Sequence, residues 1–205
     1  MTIILKSELI LASASKTRLE MLSRHGLNIK NYPADIDEDE LKKTKCKNMS
    51  AEEMAIFLAK EKALAVSKKF PDAYIIAADQ VCLLDGKVYD KPESIENCIK
   101  HLKCLRGKTH TQNCAMLLVK NSEVILESLS KAELTLRDLS DEEILAYIEL
   151  EKPLHSAGSY MLERHGKHIF KEINGDHDVV LGLDIVKLFN KLYELDIVKL
   201  QTSTN

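Results

Sequence analysis

Apolar positions along the chain alternate between short unbroken runs and stripes of helical period, which predicts strands and helices taking turns. Residues 9–12 form a short apolar run bounded by serines and read as a buried strand. Leu19, Met21 and Leu22 then mark a helix that stops at Gly26, and residues 29–36 read as a more exposed strand running into the acidic segment 35–40. Residues 42–47 form a basic, mobile connection. Ser50 with Glu53 forms a capping box, opening a helix that carries Met54, Phe57, Leu58, Ala63, Leu64 and Ala65 and runs to Lys69. Residues 74–78 are apolar throughout, the pattern of a strand buried on both faces, and deliver Asp79 and Gln80 to its end. After an Asp85-Gly86 turn and the segment ending in Lys91-Pro92, residues 93–105 read as a helix closed by Gly107.

Residues 109–119 and 123–136 read as two long strands around an Asn121-Ser122 turn, the clearest hairpin in the chain. A second capping box, Ser140 with Glu143, starts a helix that stops before Pro153. Residues 153–160 are loop-like and small, residues 168–173 read as a strand, and Asn174-Gly175 as a turn. A last helix is expected from about residue 179 into residue 200, with a polar tail from about 201. Leu-Asp-Ile-Val-Lys-Leu occurs at 183–188 and again at 195–200. Twelve residues advance a helix by about 120° beyond whole turns, so the copies would not share a face and are not a structural repeat. The predicted fold is therefore α/β, a mixed twisted sheet with flanking helices and a long hairpin.

Composition narrows the picture. The 205 residues suffice for one domain or for two small lobes sharing a cleft, and one domain over 1–205 is the expectation. With 45% hydrophobic and 30% charged residues the chain belongs with ordinary globular proteins. A net charge of −3 gives no general attraction to a nucleic acid polymer, so a polyanionic ligand must be met by local cations or a metal. Five cysteines, odd in number and without a Cys-x-x-Cys pair, suggest neither a disulfide framework nor a zinc site and fit a cytoplasmic chain. No segment has the apolar length of a signal peptide or a membrane span.

Candidate chemistry gathers at four places. Residues 9–18 run a strand into Ser13, Ser15, Lys16 and Arg18. A helix beginning after Ser15 would offer unpaired N–H groups, two hydroxyls and a guanidinium to phosphate oxygens, or it would simply be serine-capped with Arg18 in water. The acidic segment 35–40 is a solvated loop, a helix N-terminus or a cation site. Lys60 and Lys62 lie on the helix that follows. Asp79, within an apolar run, either bears the cost of burial or faces a cation. His165-x-x-His168 lacks cysteine support and is not read as a metal site, and Cys98 and Cys104 read as packing residues on one helix.

Four blocks in order resemble the Maf family of nucleoside triphosphate pyrophosphatases, from about residue 9 to 195: Ala12-Ser13-Ala14-Ser15-Lys16-Thr17-Arg18, Asp35-Ile36-Asp37-Glu38, Ala59-Lys60-Glu61-Lys62-Ala63, and Ala78-Asp79-Gln80 through Lys91-Pro92. The resemblance implies a Maf/ITPase-like fold with the active site in a cleft, and hydrolysis between the α- and β-phosphates of a nucleoside triphosphate with Mg²⁺ or Mn²⁺. It implies that Ser13, Ser15, Arg18, Lys62 and Lys91 bind phosphates, that Glu38 and Asp79 hold the metal, and that Asp79 takes a proton from the attacking water, as base, ligand or both. A homodimer is the family's frequent state.

Members differ at three positions tied to base choice, here Thr17, Gln80 and Glu163. Gln80 and Glu163 match the branch acting on 7-methyl-GTP, which places tryptophan where Thr17 stands; the dTTP and UTP branch carries Arg, Thr and Gln. Guanine presents two adjacent donors that one carboxylate can accept, whereas uracil flanks one donor with two carbonyls. The chain also departs from the family at Asp90, usually glycine, and at Asp184, usually proline. The expectations are thus a 7-methyl-GTP pyrophosphatase, a dTTP/UTP pyrophosphatase, or a non-catalytic nucleotide-binding regulator of septum formation.

Overall fold

A computed structural model of the protein describes residues 2–201. In chain order the elements are β1 (Thr2–Leu5), β2 (Leu9–Leu11), α1 (Lys16–Arg24), β3 (Lys30–Asn31), α2 (Glu38–Thr44), α3 (Ala51–Ser67), β4 (Tyr74–Leu84), β5 (Lys87–Val88), α4 (Ile95–Leu105), β6 (Thr109–Lys120), β7 (Glu123–Leu136), α5 (Asp141–Glu151), β8 (Phe170–Asn174), α6 (His177–Leu181), α7 (Ile185–Glu194) and β9 (Val198–Gln201). The main sheet runs β3-β2-β4-β6-β7-β8, with β5 on β4. It is mixed: β2 is parallel to β3 and β4, while β5 is antiparallel to β4 and β8 to β7. By compactness the chain divides into one unit of Met1–Asp79, Cys114–Ser130 and Gly182–Asn205 and another of Gln80–Asn113 and Lys131–Leu181.

In the first unit β2 and the start of β4 pair in register Leu9 to Tyr74, Ile10 to Ile75 and Leu11 to Ile76. Ile75, Ile76, Ala77 and Ala78 are all fully buried, so successive side chains pointing to opposite faces are both covered, as the unbroken apolar run predicts. Each buried isoleucine contributes about 2 kcal/mol. In α3, Ala55, Leu58, Ala59, Lys62, Ala63 and Val66 make the buried stripe, with a lysine at one of its core positions. Both serine capping boxes are formed, Ser50 with Glu53 and Ser140 with Glu143. The β6/β7 hairpin turns through Asn121 and Ser122, whose φ values of 49° and 62° are those of a type I′ turn.

In the second unit, α5 buries Ile144, Tyr147, Ile148 and Glu151, positions i, i+3, i+4 and i+7 of one face. β8 pairs with the end of β7, Glu133 opposite Asn174 through Leu136 opposite Phe170.

Several expected boundaries move. The exposed strand at 29–36 is reduced to Lys30–Asn31, because Asp37 caps α2 by accepting the Glu40 N–H and the acids that follow occupy the favourable first turn of that helix. The basic connection is partly helical, with Lys42 and Lys43 in the last turn of α2, and Cys46 beyond it is buried. α4 starts at Ile95, capped by Ser94, and residues 165–169 are a 3-10 turn preceding β8. The long final helix is broken: α6 ends at Leu181, Asp184 caps α7, and the chain then turns into β9, which pairs antiparallel with β1. Apart from Gln201, which ends β9, the expected polar tail lies outside the described residues. Cys98 is a packing residue, but Cys104 is exposed.

Candidate active site

The strand-to-helix junction after β2 is built by its own side chains. Ser15 caps α1 by accepting the Arg18 N–H (3.3 Å), and its own N–H donates to Ser13 Oγ (3.1 Å), which is 7% exposed. Capping and clustering of polar groups thus occur together at this junction. Arg18 reaches across from the first turn of α1: its Nε donates to the Gly182 carbonyl (2.9 Å) and its Nη1 to the Ala78 carbonyl (2.8 Å) and Ser13 Oγ (3.4 Å). The guanidinium therefore ties α1 to the residue preceding Asp79 in β4 and to the turn before α7, a fork that only arginine's planar set of donors supplies. Thr17 is half-buried beside it.

Asp79 does not end its strand as expected but lies at the middle of β4, which continues to Leu84; it is 8% exposed and accepts a hydrogen bond from Lys62 Nζ at 2.6 Å. Glu38, the first residue of α2, brings Oε2 to 2.8 Å of the same ammonium. One buried cation is thus shared by two carboxylates from separate elements, and the three together carry a formal charge of −1. Pairing offsets the desolvation that each of these groups would suffer alone. Cys114, deep in the same unit, has its thiol pushed up to about 12 by burial, with Arg18 opposing and Asp79 reinforcing the shift, and takes no part in ionic chemistry near neutral pH.

Among the described residues no group of three or more His, Cys, Asp or Glu side chains is arranged to hold a metal ion. Glu38 and Asp79 are hard oxygen donors of the kind that hold Mg²⁺ or Mn²⁺ together with phosphate oxygens and water, but the position between them is filled by the Lys62 ammonium, which a metal there would have to displace.

The second unit carries the remaining expected residues on three different elements. Gln80 follows Asp79 in β4, and its Nε2 donates to the carbonyls of Val179 (3.1 Å) and Val180 (2.8 Å) in α6. Lys91 is exposed between β5 and α4. Glu163 is exposed on the turn 161–166. His165 and His168 stack with ring centroids 6.3 Å apart, and the His165 ring Nδ1 meets the carboxylate of Glu151, so the two rings are engaged in side-chain packing. Asp184 caps α7 and accepts from Ser130 Oγ at 2.6 Å, a structural use of this side chain.

Sequence reasoning missed three groups, two carbonyls and a carboxylate. The carbonyls of Ala78 and Gly182 cannot be read from residue type. Glu151, whose side chain is wholly buried, had a readable signal: it occupies the i+7 position of the apolar face of α5, as Lys62 occupies a core position of α3. A charge at a core position marks a side chain that must find a partner.

Among the described residues, no helix is long and apolar enough to cross a membrane. A family model described as Maf-like protein matches residues 8–195. The chain is 40% identical to a nucleoside triphosphate pyrophosphatase of Legionella pneumophila over 190 residues, 93% of this chain and 94% of that protein. It is likewise 40% identical to a 7-methyl-GTP pyrophosphatase of Rhizobium meliloti over 194 residues, 93% of this chain and 98% of that one. A solved structure of a HAM1 protein from Coxiella burnetii aligns with 92% of this chain and 99% of its own at a TM-score of 0.44 and 16% identity. With the match over residues 8–195 and identity at this level across nearly the whole of both relatives, the chain belongs to the Maf family.

Proposed function

We propose that the chain hydrolyses a nucleoside triphosphate between its α- and β-phosphates, releasing a monophosphate and pyrophosphate. The observation that carries the reading is the single buried ammonium of Lys62 held between Asp79 and Glu38. A nearly buried carboxylate held in one orientation by its neighbours is what a proton acceptor for an attacking water requires. Asp79 Oδ is the atom assigned to take that proton. Lys62 is assigned a second task, meeting charge on the phosphates, as are Ser13, Ser15 and Arg18 from the strand-to-helix junction and Lys91 from its own loop. A divalent metal held by Glu38 and Asp79 would supply Lewis-acid polarisation of the phosphoryl oxygens. The chain's own contribution is to hold the two carboxylates and the cation in fixed relation before the substrate arrives.

For the base, the reading is 7-methyl-GTP. Glu163 offers a carboxylate suited to the paired N1–H and N2–H₂ donors of guanine and to the positive charge of the methylated ring. Relatives named 7-methyl-GTP pyrophosphatase, from Rhizobium meliloti and Rhizobium etli, are 40% and 38% identical to this chain. Thr17 offers no flat surface for stacking, so discrimination rests on edge recognition. Mg²⁺- or Mn²⁺-dependent pyrophosphate release, measured as kcat/KM over GTP, 7-methyl-GTP, dTTP, UTP and the other common triphosphates, tests both levels. The highest value for 7-methyl-GTP is expected. A preference for dTTP and UTP would overturn the base, and nucleotide binding without pyrophosphate release from any of them would overturn the enzyme in favour of a binding regulator.

A further inference from the structure

The turn that carries Glu163 is fastened to α5 at both of its ends. At its start, the Met161 N–H donates to the Tyr147 hydroxyl at 3.0 Å. At its end, the His165 N–H donates to Glu151 Oε1 at 3.2 Å, and the His165 ring Nδ1 meets the same oxygen. Arg164 adds an ion pair, with Nε 3.5 Å from Glu151 Oε2. Tyr147 and Glu151 are four residues apart, one above the other on the buried face of α5. The turn also closes on itself, since the Gly166 N–H donates to the Met161 carbonyl at 3.0 Å and a Cβ on Gly166 would come within 2.3 Å of that carbonyl. Glu163 lies at the middle of this closed turn. Its charge, with that of Glu151, adds to the burial that raises the Tyr147 hydroxyl pKa. Burying the Glu151 side chain completely has a cost that general packing would not demand, because an apolar residue at this position would fill the face of α5 equally well.

From this geometry we infer that Tyr147 and Glu151 are positioning residues for base recognition: they hold the turn 161–166 so that the Glu163 carboxylate meets the guanine edge in one orientation. The inference rests on the proposed role of Glu163. Recognition by two parallel hydrogen bonds tolerates little displacement of the acceptor, so loosening either anchor weakens binding of a base that needs both bonds and leaves untouched a base that makes none of them.

The test is a set of variants assayed with GTP and UTP: Glu163→Ala, Tyr147→Phe, Glu151→Gln, and each anchor variant combined with Glu163→Ala. Tyr147→Phe removes only the hydroxyl, and Glu151→Gln keeps an acceptor for the His165 N–H while removing the charge. Each anchor variant is expected to raise KM for GTP about fivefold, the factor that one net hydrogen bond is worth, with KM for UTP unmoved and kcat for both within twofold. In the Glu163→Ala background the same changes are expected to do nothing further to KM. Equal losses with GTP and UTP, or the same loss with and without Glu163, mark a merely structural role and overturn the inference. If Glu163→Ala alters the ratio of kcat/KM for GTP and UTP but the anchor variants do not, positioning fails while the base reading stands. If Glu163→Ala leaves that ratio unchanged, the base reading fails and takes the inference with it. A variant that melts early is judged through the other anchor.

Discussion

Lys62 and Asp79 form an ion pair with Nζ 2.6 Å from Oδ1, and their side chains are only 11% and 12% exposed. Removing the cation leaves two carboxylates facing one another, whereas removing the charge of Asp79 leaves Lys62 still paired with Glu38. Lys62→Met is therefore expected to destabilise the protein by about 3 kcal/mol and Asp79→Asn by less, read from urea unfolding. Mn²⁺ is expected to raise the melting temperature of Lys62→Met more than that of the wild type, because the vacated position lies between two oxygen donors.

Asp79→Asn keeps the shape of the site and removes the proton acceptor. Pyrophosphate release is expected to fall by about 10³-fold, with nucleotide affinity changed far less, measured by single-turnover kinetics beside equilibrium binding.

Arg18 joins the carbonyls of Ala78 and Gly182, and the Gly182 backbone has φ +102° with a Cβ there meeting Arg18 Nε at 3.0 Å. Arg18→Lys cannot span both carbonyls, and Gly182→Ala adds backbone strain and crowds the guanidinium. Each is expected to cost about 1–3 kcal/mol in denaturant unfolding and to lower kcat/KM by at least about tenfold.

His110 is 1% exposed, with Nε2 2.8 Å from the Tyr160 hydroxyl, which also accepts from Gln112 Nε2 at 2.6 Å. Burial pushes its pKa from 6.5 down to about 4. The unfolded chain therefore takes up a proton between about pH 6.5 and 4 that the native protein refuses, so the stability contributed by neutral His110 is complete above that window and falls away as pH drops through it. The loss is about 3 kcal/mol at most. A pH series of urea unfolding is expected to flatten over this window in His110→Phe relative to the wild type.

Much of the local structure was legible because its causes are local. Ser15, Ser50 and Ser140 announce helix starts through hydrogen bonds to residues three positions on, and the fully apolar residues 74–78 announce a strand covered on both faces. Lys62 drew attention on its helix, and the structure supplies the reason it matters, a core position with two acids converging on it. Glu151 shows the same pattern, a charge on the apolar face of α5, while its partners, Arg164 and His165, come from a turn outside that helix and, like those of Lys62, cannot be matched by spacing.

Leu-Asp-Ile-Val-Lys-Leu shows the division most directly. At 183–188 Asp184 accepts the Lys187 N–H, and the segment starts α7 with Ile185 and Leu188 buried in a helical stripe. At 195–200 the same six residues turn at Asp196, with φ 54°, and continue as β9, Leu5 opposite Val198 and Ile3 opposite Leu200. Asp196 meets Lys6 there, and the Lys6 N–H donates to the Ile197 carbonyl at 2.8 Å. The sequence by itself determined the helix starts after Ser15, Ser50 and Ser140, the buried central strand, the hairpin and the family. Only the tertiary structure decided the fate of the second copy and the partners of Arg18, Lys62 and Glu151, because a backbone edge such as β1, a carbonyl or an opposing charge brought in from far along the chain selects among conformations that a short segment holds at nearly equal free energy.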